Sequence, residues 1–214
     1  MSLESLKRKF NLEFSGIIHI GANWGQELDL YNYLKIKDLL LFEPIPEIYT
    51  ILVQRIENYK KYFNIKSYNI ALGNDNKCVE MFISDNDGQS SSVLSPNVHL
   101  TIHPEVHFFQ QKIIVPMMKL DDIYFNREKF NTIVIDVQGF ELEVFKGSIE
   151  TLSNIEYIYT EVNKDFVYSE NGLVDEIDEF LIKFGFKRVE TFWPYQSNVG
   201  ELPWGDALYI KEHI

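Results

Sequence analysis

Apolar residues along this chain fall into short continuous runs separated by amphipathic stretches, a pattern of strands alternating with helices. After an amphipathic segment, Leu3–Phe10, the run Gly16–Ile20 predicts a buried strand that stops at Gly21-Ala22-Asn23-Trp24-Gly25, with a helix over residues 24–34. Asp38–Phe42 predicts a second strand, ended by Glu43-Pro44, and a helix from Pro46, a favoured first-turn residue, to about Asn58. Residues 65–70 and 79–84 predict a third and a fourth strand, the latter with period-two alternation, before the polar loop 85–92. Further strands are predicted over 112–118, 133–135, 155–160, 186–192 and 207–210, with helices over 141–152 and 174–184, the last ended by Gly185. In 96–111, His99, His103 and His107 recur every four residues and would share a helical face, but Pro104 opposes a regular helix.

Such alternation implies a doubly wound α/β fold, with a mostly parallel sheet covered on both faces and ligands bound beyond the carboxyl ends of its strands. Gly21 to Gly25, Glu43, Ala71 to Gly73, Asp136 to Glu141 and Glu161 to Asn163 each follow a predicted strand, so the fold would gather them at one edge.

A length of 214 residues suits one domain, 1–214. With 32 acidic against 20 basic residues and a formal net charge of -12, the chain repels polyanions, so nucleic acid and anionic membranes are not expected as partners. The clustered cations Lys7, Arg8, Lys9, Lys60 and Lys61 are read as solvated faces. The lone Cys78 cannot form an internal disulfide and, in its alternating run, is expected to be small, apolar and buried. No apolar stretch of membrane-spanning length occurs and the start MSLESLKRKF lacks the apolar core of a signal peptide, so a cytoplasmic protein is expected.

Gly21 and Gly25 between first strand and first helix would let backbone approach a ligand, since glycine tolerates positive φ. Glu43, ending the second strand, is placed to accept both hydroxyls of a ribose. The alternative is a tight turn and a cap. A dinucleotide fingerprint would need glycines where Asn23 and Gln26 stand, which disfavours a nicotinamide dehydrogenase.

Together, His19-Ile-Gly-Ala-Asn-Trp-Gly-Gln26, Leu41-Phe-Glu-Pro-Ile-Pro46, Ala71-Leu-Gly73, Lys119-Leu-Asp-Asp122, Ile135-Asp-Val-Gln-Gly-Phe-Glu141, Lys146-Gly147 and Glu161-Val162 resemble the FkbM-type methyltransferase family over roughly residues 16–165. The resemblance implies the class I methyltransferase (Rossmann-like) fold with an antiparallel last strand, S-adenosylmethionine as methyl donor, and methylation of an oxygen on a sugar or natural product. It would put Gly21, Asn23 and Gly25 along the methionine part, Glu43 on the ribose, and Asn69, Ile70 and Ala71 beside the adenine. The family pattern D-x-E-G-x-E is broken here by Gln138 in place of the middle glutamate.

Methyl transfer needs an aligned acceptor oxygen and a group that takes its proton, and no metal is chemically required. Asp136 is the leading candidate for that base, the alternative being a contact to the cofactor's ammonium or a helix cap. Glu161 would hold a second acceptor hydroxyl or share the proton, or make a structural contact. Glu141 reads as a helix-start residue, and His103 and His107 as lesser candidates for the base. Trp193, Tyr195 and Trp204 would offer faces to a sugar or belong to the core. The expected function is an S-adenosylmethionine-dependent O-methyltransferase of a sugar or glycoconjugate hydroxyl. Alternatives are a lipid, polyketide-type or other small-molecule hydroxyl as acceptor, or a non-catalytic cofactor- or glycan-binding module.

Overall fold

In a computed structural model that describes residues 2–196 and 200–212, the apolar runs become the strands of a seven-stranded sheet. In chain order the elements are α1 (Leu3–Phe10), β1 (Gly16–Ile20), α2 (Leu28–Tyr33), β2 (Asp38–Phe42), α3 (Pro46–Glu57), β3 (Asn64–Tyr68), β4 (Ala71–Leu72), β5 (Lys77–Met81) and α4 (His99–Ile102). They continue with β6 (Ile113–Met118), β7 (Thr132–Ile135), α5 (Glu141–Lys146), β8 (Tyr157–Asn163), α6 (Val174–Leu181), β9 (Phe186–Phe192), β10 (Tyr195–Gln196), β11 (Gly200–Glu201) and β12 (Trp204–Lys211).

The main sheet runs β3-β2-β1-β7-β8-β12-β9. The first five are parallel, while β12 is antiparallel to both β8 and β9. This is the class I methyltransferase arrangement. Ile18 and Ile20 pack with Phe145, Ile177 and Leu181 of α5 and α6, while Ile17 packs with Leu28, Tyr31, Leu52 and Ile56 of α2 and α3. Opposite faces of one strand thus each bury an apolar layer. A small sheet, β4-β6-β5, is inserted before β7 and packs through Met81, Val115 and Met117 against Ile45 and Ile48. No helix among the described residues is long and apolar enough to cross a membrane.

Several boundaries move for identifiable reasons. The helix expected from residue 24 begins at Leu28, because Asn23 (φ 44) and Gly25 (φ 83) adopt left-handed backbone that an α-helix excludes. The helix expected to reach 152 stops at Lys146. Ser148 Oγ donates to the Val144 carbonyl, and the Asp121 carboxylate accepts the N–H groups of Glu150 and Thr151 to start a separate 3-10 turn. β8 runs on through Asn163 because β12 pairs along it beyond the end of β7, so Glu161 lies within the strand, opposite Asp206. Cys78 is exposed rather than buried: β5 turns Val79 and Met81 inward, and the pleat sends Cys78 and Glu80 out.

Candidate active site

A cavity of about 370 Å³ opens at the carboxyl ends of β1, β2 and β7, and Gly21, Asn23, Glu43, Ile70, Ala71 and Asp136 line it. Gly21 has φ 81, and a Cβ there would sit 1.9 Å from the Asp136 carbonyl oxygen, so two strand ends approach as closely as only glycine permits. The N–H groups of Gly21 and Ala22 both donate to the Phe42 carbonyl, at 3.0 and 2.9 Å, tying the turn to the end of β2. The Glu43 carboxylate accepts from Asn23 N at 3.0 Å and Ile45 N at 2.8 Å. Burial nevertheless pushes its carboxyl up to about 7 against those two bonds.

Gly25 and Asn69 are not among the residues lining this wall. A Cβ on Gly25 would meet Leu52 and Leu28, so that glycine makes room for helix packing, and the Asn69 amide donates to the Glu43 and Pro44 carbonyls. Gln26, to which the sequence assigned no ligand contact, does line the cavity, and its buried Oε1 has no hydrogen-bond partner among the described residues. An orphaned acceptor on a cavity wall suits a ligand donor such as an ammonium.

At the end of β7, Gln138 joins the two candidate carboxylates. Its Nε2 donates to Asp136 Oδ1 at 2.6 Å and to Glu161 Oε2 at 3.2 Å, while its Oε1 accepts from the Tyr168 hydroxyl at 2.8 Å. That network assigns the amide orientation: a flip would set oxygen against two carboxylates. The loop is held in left-handed backbone at Gln138 (φ 57) and Gly139 (φ 96), with Glu141 Oε1 accepting Val137 N and Gly139 N, and Ser92 Oγ donating to the Gln138 carbonyl. Glu141 is therefore the organiser of the loop, wholly buried at the first turn of α5.

Asp136 is exposed on the wall of the open cavity. Desolvation by the neighbouring protein still raises its carboxyl to about 6, opposed by Gln138 and helped by the charges of Asp206 and Glu27. Glu161 is raised well above the ordinary range, first by burial and then by Asp136, Glu141 and Asp206. Glu27, Glu43, Asp136, Glu161 and Asp206 line the cavity, and no Lys or Arg does among the described residues. Such a wall suits a cationic ligand with a ribose and opposes a pyrophosphate.

The three histidines do not share a helical face. α4 ends at Ile102; the rings of His99 and His103 lie 5.1 Å apart, whereas His107 Nδ1 turns to Asp85 Oδ2 at 3.1 Å. Pro104 lies beyond the helix end and removes an N–H that a longer helix would need. Among the described residues no group of three or more His, Cys, Asp or Glu is placed to hold a metal ion. Trp193 packs against the main core beneath Lys164, Tyr195 is exposed on the β10-β11 ribbon, and Trp204 sits 6.1 Å from His103, ring to ring.

Residues 19–188 match the family described as Methyltransferase FkbM domain. The 2-O-methyltransferase NoeI of Sinorhizobium fredii is 30% identical over 185 residues, spanning 80% of this chain and 74% of that protein. Among solved structures, Streptococcus pneumoniae Sp1610, a putative tRNA (m1A22) methyltransferase, superposes with a TM-score of 0.56 at 13% identity, over 100% of this chain and 72% of the other. Magnesium protoporphyrin IX methyltransferase (ChlM) from Synechocystis PCC 6803 does so with a TM-score of 0.54 at 10% identity, over 98% and 76%.

Proposed function

Because this chain belongs to the FkbM methyltransferase family and is an S-adenosylmethionine-dependent methyltransferase, we propose that it methylates a hydroxyl oxygen of a sugar or glycoconjugate. One observation carries the reading: two carboxylates, Asp136 and Glu161, are presented together on the wall of the cofactor cavity and spaced by one amide. Paired carboxylates suit an acceptor with adjacent hydroxyls, one losing its proton and one held. The relative's name, a 2-O-methyltransferase, supports oxygen as the accepting atom.

The cofactor fits the residues present. Its ribose hydroxyls would bond Glu43, its adenine would lie by Ile70 and Ala71, and its methionine part would follow Gly21 and Asn23 with the ammonium near Gln26 Oε1. When bound, S-adenosylmethionine supplies an electrophilic methyl on a sulfonium and departs as the neutral thioether. Asp136 takes the acceptor hydroxyl proton as the oxygen–carbon bond forms. Gln138 keeps the Asp136 carboxylate turned to the acceptor, and Glu161 receives a second hydroxyl. A cytoplasmic location belongs to the same reading, which the free, exposed thiol of Cys78 suits.

Incubating the protein with S-adenosylmethionine and a panel of saccharides, with mass analysis for a gain of one methyl, tests the proposal. A methylated hydroxyl is the expected product. Tight binding of S-adenosylhomocysteine with transfer only to nitrogen or carbon acceptors would overturn it.

A further inference from the structure

A second cavity, of about 360 Å³, meets the cofactor cavity at Gln89, Asp136, Gln138 and Glu161. Its remaining wall includes Trp204 at the start of β12, His99 and His103 from α4 and its end, Glu105, and Asn86 from the polar loop after β5. His103 Nδ1 lies 3.2 Å from Glu105 Oε1. His99 is 4% exposed, its Nδ1 has no hydrogen-bond partner among the described residues, and burial holds its imidazole down at about 4, hence neutral at physiological pH. The described wall carries amides, imidazoles and carboxylates beside one indole, and neither Lys nor Arg. The volume lies within the ~300–1,000 Å³ usual for small-molecule sites.

We propose that this second cavity is the acceptor site and takes a saccharide ring bearing no anionic group, its apolar face against Trp204 and its hydroxyls on Asp136, Glu161 and the His103–Glu105 pair. The inference rests on the hydroxyl-methylating reading above. Geometry supplies its first support: the wall this cavity shares with the cofactor cavity carries Asp136 and Glu161, the carboxylates that would deprotonate and hold a ligand here. Chemistry supplies the second. An indole face with a rim of hydrogen-bonding side chains matches the alternating C–H and O–H surfaces of a sugar. A phosphate, sulfate or carboxylate on the ring would instead face Glu105, Glu161 and Asp136 with no Lys or Arg to pair with it.

Saturation-transfer NMR on the full chain with S-adenosylhomocysteine tests this, using methyl hexopyranosides as uncharged probes and glucose 6-phosphate and glucuronic acid as anionic ones. The uncharged probes should bind at least about tenfold more tightly than the anionic pair. Trp204→Leu and His103→Ala should each weaken saccharide binding by about tenfold while S-adenosylhomocysteine affinity stays within about twofold, which also shows that the variants fold. Glu105→Lys, at a side chain largely in solvent, should raise glucose 6-phosphate binding. Parallel incubations with S-adenosylmethionine read methyl transfer to the same saccharides. Equal affinity for neutral and anionic probes, no saccharide binding at all, or methylation that persists unchanged in both Trp204→Leu and His103→Ala would overturn the assignment. Saccharide binding that both variants abolish, without any methylation in the wild type, would uphold the cavity as a saccharide site and sink the hydroxyl-methylating reading.

Discussion

Gln138 Nε2 stands 2.6 Å from Asp136 Oδ1, and the same nitrogen spends its other hydrogen on Glu161 at 3.2 Å. The position where the D-x-E-G-x-E pattern would place a third acid thus holds a neutral clamp between two. Replacing it tests what the clamp does. Gln138→Glu should move the acidic limb of kcat/KM to higher pH by roughly one unit or more, because a third carboxylate disfavours ionisation of its neighbours. Gln138→Leu should lower kcat by roughly tenfold to a hundredfold by releasing Asp136, with little change in S-adenosylhomocysteine affinity. A pH–rate profile of each variant, measured against wild type, decides; an unmoved limb in Gln138→Glu would remove Gln138 from any role in tuning Asp136.

Glu43 answers to two tests. Glu43→Ala should weaken S-adenosylhomocysteine by roughly 1–3 kcal/mol through loss of charged hydrogen bonds, read by calorimetry. Its pH linkage has a definite sign. The folded protein holds the Glu43 proton more tightly than an unfolded chain does, the carboxyl being raised from 4.5 to about 7, so stability is fully present below pH 4.5 and is lost as pH rises toward 7. Asp136 and Glu141 are raised in the same direction and add to the trend. The Tm of the cofactor-free protein should therefore decline over that window, and less steeply in Glu43→Gln.

Gly21→Ala should destabilise the fold by more than about 1 kcal/mol, lowering Tm by at least about 2 °C, since it joins a left-handed φ to a Cβ placed 1.9 Å from a backbone oxygen. Gly200→Ala is the matched control, with φ 96 but nothing within 4 Å of the added carbon. Thermal melts of the two should differ clearly. Similar melting points would mean that the strand ends at Gly21 and Asp136 separate without cost.

How far these features could be read beforehand follows from their physics. Strands such as Gly16–Ile20 and Asp38–Phe42 announce themselves because both faces are buried, leaving continuous apolar runs, and the strand ends carry Gly21, Glu43 and Asp136 to one edge by topology alone. Phase and partners are different matters. Nothing local told which face of the Val79 run would turn inward, and Cys78 went to solvent. Glu161 lies inside β8 because a strand more than forty residues later pairs with it. Gln138 showed in the sequence only as a departure from a pattern; its role depends on Tyr168 and Glu161, brought to it by other elements.

Asp136 bears the sharpest prediction, because its two candidate roles respond differently to one atom's change. Asp136→Asn keeps the side chain's shape and retains an oxygen that can accept from Gln138, but the amide cannot take a proton from an acceptor hydroxyl. If Asp136 is the base, kcat should fall by about 10²–10⁴ with S-adenosylhomocysteine affinity within about threefold of wild type. The wild-type profile of kcat/KM should rise as pH passes through about 6, since only the ionised carboxylate accepts the proton, and desolvation, then Asp206 from β12 and Glu27 from the β1-α2 turn, favour its neutral form. That rise should vanish in Asp136→Asn. If the carboxylate instead holds the cofactor's ammonium, affinity drops first and the residual turnover keeps its pH dependence. Full turnover in the variant would shift the base role to Glu161, whose carboxyl lies across the same amide and would then lose activity in Glu161→Gln.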